Sequence, residues 1–577
     1  PAGTARELAW WITVPHDATG LEYEATVREQ GGGAASDRLK VVQKVTPAVP
    51  VRTVQAVLTQ VRAPVAAVLP IEKPADAVSG RGGINIQIKP VLAASLTGVR
   101  DYMDHYAYTC LEQKISRAVA MKNNALWQAT MAQLPSYLDS DGLLKYFPVM
   151  RQGSDSLTAY ILAVASEGGY EIPDYLRDRM TAGLQQFVEG RVIRYGTLAT
   201  ADLAIRKLSA LEALSRYKQA DVKLLTSIPI DPNLWPTSAL LDWINILQRL
   251  TDIPQREKRL KEGQQILRGR MNLQGTRMTF STERMDQLWW LMSSSDGNAV
   301  RSMLSLMNLE GWQDDLPRLA AGALGRMQRG HWDTTTANAW GILAMDKFSI
   351  KYEKTPVGGT TKVALNGKTR SVDWHKSPAG GGLSLNWPTG RETIQVSHNG
   401  TGTPWVTIGA TAALNLTKPF SSGFRVTRTV TKLVDDANMS LSSTEDNGRA
   451  TNFNVGDVVR VHLDMEAQSD MAWVVLNDPI PAGASILRTG LGGDSLLFSA
   501  GEKTRSFAQE AFTERSQEAF RVYYEYVPKG KWSTEYTLRL NNEGAFQMPA
   551  SRLEALYAPE MFGETPVRPL TVTGKKQ

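Results

Sequence analysis

A single cysteine, Cys110, is all that 577 residues provide. One thiol excludes an intrachain disulfide framework and a thiolate zinc cluster. It says little about compartment, since periplasmic proteins also do without disulfides. The six histidines are scattered without ligand spacing, so neither a metal site nor a cofactor is expected. No apolar run approaches the roughly 20 residues of a membrane-spanning helix. Charge of one sign is scarce: 64 Lys and Arg against 58 Asp and Glu leave +6. Spread over this much surface, and with no basic cluster interleaved with aromatics, that does not argue for nucleic acid. Runs such as Arg256 to Lys261 read as solvated helix faces. An initiator Met and a leader are missing from the opening Pro1-Ala2-Gly3, so a fragment or processed product is expected, with any targeting signal upstream.

What is present is the composition of an ordinary globular chain, 42% hydrophobic and 21% charged, long enough for roughly four domains. Leu8 to Pro15, Leu21 to Val27 and Leu39 to Val45 are short β-prone runs around a Gly31-Gly32-Gly33 loop. Pro47, Pro50, Pro64, Pro70 and Pro74 then argue against long helices. From about Leu96 to Phe348 the apolar spacing turns helical, as in Ala201 to Tyr217, Ala239 to Leu250 and Arg256 to Leu267. Short amphipathic helices bury their faces only against each other, which predicts an all-α domain of helical pairs. After Lys347 the period returns to two. Thr361 to Leu365 and Thr369 to Trp374 flank Asn366-Gly367-Lys368, a hairpin signal. Val459, Val461, Leu463 and Met465 alternate with polar residues, and turns are expected at Asn477-Asp478-Pro479 and Pro528-Lys529-Gly530. That pattern predicts a β-sandwich. A helical domain spliced into a β-rich segment is physically reasonable, because domain termini often lie close together.

The chemistry centres on Tyr106-Ala107-Tyr108-Thr109-Cys110-Leu111-Glu112-Gln113. If this segment is helical, Tyr106, Cys110 and Gln113 share a face, and the thiol meets a carboxamide within one turn. Loss of ammonia would join the Cys110 sulfur to the Gln113 acyl carbon as an internal thioester. Sulfur donates poorly into the carbonyl and a thiolate leaves readily, so that carbon is strongly electrophilic. Such a group survives only in a dry pocket, which Tyr102, Met103, Tyr106 and Tyr108 would supply. The ordinary reading stands beside it: a lone Cys on an apolar helix is usually a small core hydrophobe, and nearby tyrosines usually pack.

Cys110-Leu111-Glu112-Gln113 resembles the thioester motif of the alpha-2-macroglobulin and complement family, in its bacterial form. Gly330-His331-Trp332-Asp333-Thr334-Thr335 with Asn338-Ala339-Trp340 resembles the last helices of that family's thioester domain. Tyr557-Ala558-Pro559-Glu560-Met561-Phe562-Gly563-Glu564 resembles the C-terminal signature of the bacterial members. Three motifs in the right order cover essentially the whole chain. The resemblance implies a multidomain α and β fold, an all-α α/α-toroid thioester domain inserted in a β-sandwich CUB domain and flanked by macroglobulin-like sandwiches. The expected boundaries are 1–45 for the end of a macroglobulin-like domain, 46–96 and 349–417 for the two CUB parts, 97–348 for the thioester domain and 418–577 for the terminal macroglobulin-like domain.

The resemblance further implies a broad-spectrum endopeptidase inhibitor, a single-use trap and not a turnover enzyme. Cys110 would be the leaving thiolate, and Gln113 would supply the acyl group to a lysine amine of the attacking protease. Glu112 matches the acidic position of the motif, with a structural or a proton-handling role left open. Leu556 and Tyr557, with Tyr106, are candidates to shield the thioester, the other reading of Leu556 and Tyr557 being core of the last sandwich. Leu111 replaces the glycine of the animal motif. No histidine occurs between Cys110 and His331, so direct aminolysis is expected in place of an acyl-imidazole route. The bait segment should lie upstream, Asp435 to Asn454 being the one polar loop candidate here. Also implied are a bacterial periplasmic location, an inner-membrane lipid anchor upstream of this chain and, in some members, a genetic link to a peptidoglycan synthase.

Two other classes compete. A cysteine enzyme would use Cys110 as nucleophile with His105 or His331 as base, although no Gly-Cys-Trp type context supports it. A structural scaffold with a non-functional thioester is the third, against which stands the presence of all of Cys110, Glu112 and Gln113.

Overall fold

Strands from before and after the helical segment pair with one another. The computed structural model describes residues 8, 10–15, 18–30, 35–196, 202–282, 287–365, 367–433, 453–487, 502 and 504–574. Gly381–Leu385, Ala77–Lys89, Trp405–Leu414 and Val51–Gln60 form, in that order, a four-stranded antiparallel sheet. Ala67–Ile71, Glu392–Asn399, Thr360–Leu365 and Lys368–Asp373 form a second. Between the sheets Ile84, Ile86, Ile88, Val363, Ile394 and Val406 build one apolar core, as inward-facing residues of a two-sheet sandwich do. The expected hairpin is present, Thr360–Leu365 against Lys368–Asp373, with Gly367 at φ +69° as an Asn-Gly turn requires. Asn366 lies outside the described residues, as do Gly31 to Gly33.

At the start of the chain Gly20–Arg28 and Ser36–Lys44 pair as a two-stranded ribbon. Leu8 to Pro15 departs from expectation: its described residues form no strand, and Trp10 and Trp11 are exposed. A β-prone run becomes a strand only where a neighbour takes its backbone groups, and none lies beside it among the described residues.

The helical segment runs from Leu92–Ser95 to Thr335–Tyr352. Its helices include Leu203–Arg216, Thr237–Arg249 and Arg256–Gly269, close to the three read from the apolar spacing. Ser154 caps Asp155–Gly168 by accepting from the Leu157 amide, and Gly169 ends that helix at φ +70°, the residue type that a left-handed stop favours. Leu111–Ala120, Asp155–Gly168, Leu203–Arg216, Thr237–Arg249, Ser295–Leu306 and Thr335–Tyr352 touch in succession, and the last packs back on the first. That closure sets the first turn of Thr335–Tyr352 beside the first turn of Leu111–Ala120. Its approach is fixed by Trp332, fully buried, whose indole donates to Ala323 O at 2.8 Å. A Cβ at Gly341 would stand 2.2 Å from the Trp332 ring, so only glycine lets the indole fold back over its own helix. Among the described residues no helix is long and apolar enough to cross a membrane.

The last segment is a second sandwich. Met471–Pro479, Ser551–Ala555 and Ala558–Thr565 belong to its six-stranded sheet, and Phe424–Leu433, Val458–Ala467 and Gly530–Leu540 to the facing four-stranded one. Val459, Val461, Leu463 and Met465 are buried, the alternation that the sequence shows. The turn expected at Asn477-Asp478-Pro479 is overturned: these residues end a buried strand. Asp478 receives both carboxylate contacts from Arg428 Nε at 3.1 Å, plus the Tyr536 and Ser551 hydroxyls. A turn-type residue has been recruited as the acceptor of an ion pair that crosses between the sheets. At Pro528 and Lys529 the chain does pass between strands, Ala519–Val527 and Gly530–Leu540.

This sandwich docks on the helical segment through aromatic side chains. Tyr146 lies on Trp473 with ring centroids 3.8 Å apart, and Phe147 packs between Phe512 and Tyr523 at 4.7 and 4.8 Å. Trp473 holds φ +53°, a backbone region that costs a non-glycine residue about 1–3 kcal/mol. Its carbonyl accepts from the Leu556 amide at 2.8 Å.

Candidate functional site

Cys110 is not on a helix. Thr97–Asp104 ends at His105, and the next helix starts at Leu111 with Cys110 as its N-cap, at φ −64° and ψ 166°. The shared helical face expected for Tyr106, Cys110 and Gln113 is therefore corrected. Cysteine and glutamine meet through a capping box, in which an N-cap side chain and the side chain three residues on satisfy each other's backbone amides. The Cys110 amide donates to Gln113 Oε1 at 3.0 Å, and the Gln113 amide points at the Cys110 side chain. Both residues are buried. Gln113 Nε2 has no hydrogen-bond partner among the described residues, an omission that costs about 1–3 kcal/mol when buried.

The electrostatics divide. Burial pushes the Cys110 thiol well above its ordinary pKa and the Glu112 carboxylate adds to that, while the Gln113 and Glu112 amides at the helix start pull the other way. Those amides favour a thiolate. Glu112 is fully buried with no Lys or Arg partner among the described residues. Three hydroxyls hold it. Ser116 and Thr335 donate to Oε1 at 2.5 and 2.8 Å, Thr335 also faces Oε2 at 3.0 Å, and Tyr557 donates to Oε2 at 2.8 Å. Burial raises its pKa, and these donors offset part of the rise.

Leu556 and Tyr557 sit between Ser551–Ala555 and Ala558–Thr565. They are buried, and they join the apolar cluster of the helical segment, not that of their own sandwich. Tyr106 is half-buried against the same cluster, edge-on to Tyr102 and to Tyr108, each at 5.5 Å. Tyr108 donates to Glu554 across the interface. Met103 is buried in that cluster too. His331 stacks on Tyr102 at 3.7 Å and directs Nδ1 to Trp332 O at 2.7 Å. His105 directs Nδ1 to Asp101 O at 2.8 Å and is exposed. Neither histidine is hydrogen-bonded to Cys110.

The sequence reading missed the hydroxyl cage of Glu112 and the Tyr146–Trp473 contact. Ser116 lies one helical turn after Glu112, a spacing that was there to be used. Thr335 stood inside a quoted motif without a role. Nothing in the sequence pairs Tyr146 with Trp473. Asp435 to Asn454, the bait candidate, falls almost wholly outside the described residues. Among the described residues no three His, Cys, Asp or Glu gather as for a metal ion.

Beside the cage, burial and the Asp296 carboxylate push Asp333 up to about 7, against the Ser294 hydroxyl, the Thr334 amide and Arg326. A carboxyl with a raised folded pKa adds stability that is complete below its unfolded value, 3.8, and is lost as pH rises through about 7. Asp333→Asn keeps an acceptor for the Ser294 hydroxyl but carries no charge. It should gain about 2 °C in Tm relative to the parent at pH 8 and a smaller part of that at pH 5, closer to the unfolded value. Scanning calorimetry at both pH values checks this, and an equal shift at both would refute it.

Residues 423–560 match the family model described as the bacterial alpha-2-macroglobulin MG10 domain. That stretch is therefore similar to the bacterial alpha-2-macroglobulin MG10 domain. An alpha-2-macroglobulin homolog of Nostoc is 22% identical over 468 residues, 78% of this chain and 24% of that relative. The chain thus spans about a quarter of the curated relative it matches. Among solved structures, native alpha-2-macroglobulin of Escherichia coli spanning domain MG7 to the C-terminus superimposes with TM-score 0.69 and 16% identity, over 96% of this chain and 87% of that one. Salmonella alpha-2-macroglobulin reacted with methylamine gives TM-score 0.68 at 17% identity, over 96% of this chain and 36% of that one. The mixed α and β architecture of helices and sandwich-like sheets is that of the C-terminal region of bacterial alpha-2-macroglobulins.

Proposed function

We propose that Cys110 and Gln113 form an internal thioester, and that the chain is the reactive part of a single-use protease inhibitor that acylates a lysine amine of its attacker. The observation that carries this reading is a buried thiol held at a carboxamide by a capping box, under a cover supplied by a different part of the chain. The thiol proton leaves with the departing amine as ammonia, the S–C bond replaces the C–N bond, and the Cys110 amide stands where it stabilises the oxyanion formed on the way. Expelling the carboxamide nitrogen also removes the unpaired Nε2 from the interior. The Salmonella alpha-2-macroglobulin structure reacted with methylamine supports the same class of acceptor. On this reading the helical segment is the toroidal thioester domain, the first sandwich is the CUB domain, and the full-length protein is periplasmic and lipid-anchored.

The test is intact mass under denaturing, non-reducing conditions, before and after methylamine, with glycerol as a control. The expected chain is one ammonia lighter than its sequence, gains one methylamine with release of one thiol, and ignores glycerol. A mass equal to the sequence with Cys110 free would favour a scaffold. Comparable transfer to glycerol would sink direct aminolysis.

A further inference from the structure

A carboxylate buried without a cation is costly, and its usual remedy is protonation or a full set of donors. Glu112 has the donors, and one of them is foreign. Ser116 belongs to its own helix and Thr335 to the neighbouring one, whereas Tyr557 comes from the C-terminal sandwich, 445 residues away in sequence. Tyr557 is the only one of the three that leaves if that sandwich undocks from the helical segment. Ser116 is meanwhile held by the Tyr160 hydroxyl at 2.6 Å, so the Glu112 side chain stays where it is.

We propose that Glu112 is the proton acceptor for acyl transfer from the Cys110–Gln113 site, and that the Tyr557 hydroxyl masks it until the C-terminal sandwich moves away. This rests on the thioester reading. The neutral amine attacks the Gln113 acyl carbon, and its nitrogen becomes cationic as the carbonyl oxygen becomes anionic. Glu112 Oε2, no longer occupied by the phenol, takes a proton from that nitrogen. The C–S bond breaks, the Cys110 thiolate leaves under the helix-start amides, and Glu112 returns the proton to sulfur. The products are an amide, a thiol and Glu112 again ionised. Opening the cover and arming the base are then one event, because one side chain does both.

The groups facing Glu112 are Cys110, Tyr102, Tyr106, Tyr146, Tyr160 and Tyr557. All are neutral acids with raised pKa values, so among these groups Glu112 is the one that accepts a proton near neutral pH. Asp333, beside the cage, is a further carboxyl nearby, and it is unchanged in the variants used as tests.

The experiment measures thiol release by methylamine against pH in the full chain, with intact mass confirming the thioester in each variant. Tyr557→Phe keeps the ring and the cover but loses the hydroxyl. It should react about tenfold faster at neutral pH, a fraction of what a positioned base supplies. Its rate should fall on acidification with a single ionisation that Tyr557→Phe/Glu112→Gln lacks. Thr335→Val removes a donor but leaves the Tyr557 hydroxyl on Glu112 Oε2, so it should stay near the parental rate, which keeps the test alive if Tyr557→Phe folds poorly. A gain that persists in the double variant, or a Thr335→Val rate that rises as far as expected for Tyr557→Phe, overturns the proposal. A parental chain without the ammonia deficit overturns the thioester reading instead.

Discussion

Asp478→Ala should cost the C-terminal sandwich about 3–5 kcal/mol, the usual penalty for stranding one member of a buried ion pair. Arg428 would keep its charge between the sheets with only 12% of its side chain exposed and no counter-ion. The Tyr536 and Ser551 hydroxyls would lose their acceptor as well. Asp478→Asn should fall between, since it keeps an acceptor for the hydroxyls and gives up only the charge. Urea denaturation followed by tryptophan fluorescence reads the difference, and a midpoint shift worth less than about 1 kcal/mol would show that the pair is dispensable. Ser551 opens the strand that leads to Leu556 and Tyr557. The same substitution should therefore loosen the cover and hasten loss of the proposed thioester at temperatures where the helical segment is still folded.

The second large effect concerns the cover itself. Tyr106→Ala with Leu556→Ala removes two of the side chains proposed to shield Cys110 and Gln113, both packed in or against the apolar cluster that holds Cys110. Water is what a thioester must be protected from. Spontaneous hydrolysis of the proposed bond should speed up by about a hundredfold, the scale on which small displacements at a reactive centre change rates. The mass deficit of one ammonia, followed over time at neutral pH, gives the half-life directly. An unchanged half-life would defeat the shielding role. Loss in Leu556→Ala but not in Tyr106→Ala would place the barrier on the sandwich side alone. Because Leu556 packs into the helical cluster, its truncation also weakens docking, and the two effects separate by repeating the measurement in dilute urea.

The sequence carried the order of β, α and β segments because their periods differ. It also brought Cys110 and Gln113 together, although for a different geometric reason. Three residues of spacing suggested one helical face, and the structure reaches the same meeting by starting a helix between them. Helix starts are poorly marked here, since cysteine is not a usual N-cap residue. Tertiary bonds were invisible. Asp478 looked like a turn residue until Arg428, from a strand of the other sheet, was set beside it. Glu112 looked like one acidic position among many, and only packing shows that its three donors come from three elements. Leu556 and Tyr557 could not be assigned to one core or the other by hydrophobicity, since both cores want such residues. Leu8 to Pro15 has β propensity, and propensity without a partner does not make a strand.

The division of the first sandwich by the helical segment bears on how the chain comes off a ribosome. Gln60 bonds to Thr403, 343 residues later, and among the described residues Val51–Gln60 pairs only with Trp405–Leu414. At synthesis rates of about 5–20 residues per second, the early strands wait roughly 20–70 s for those that complete their sheets. The helices, built from contacts close in sequence, have time to form within that interval. The nascent chain therefore spends its most vulnerable period with an assembled helical ring and unpaired strand edges, a state in which edge-to-edge association is the hazard. The prolines that broke the early β-rich stretch in the sequence, Pro64, Pro70 and Pro74 among them, stand where such association is least welcome.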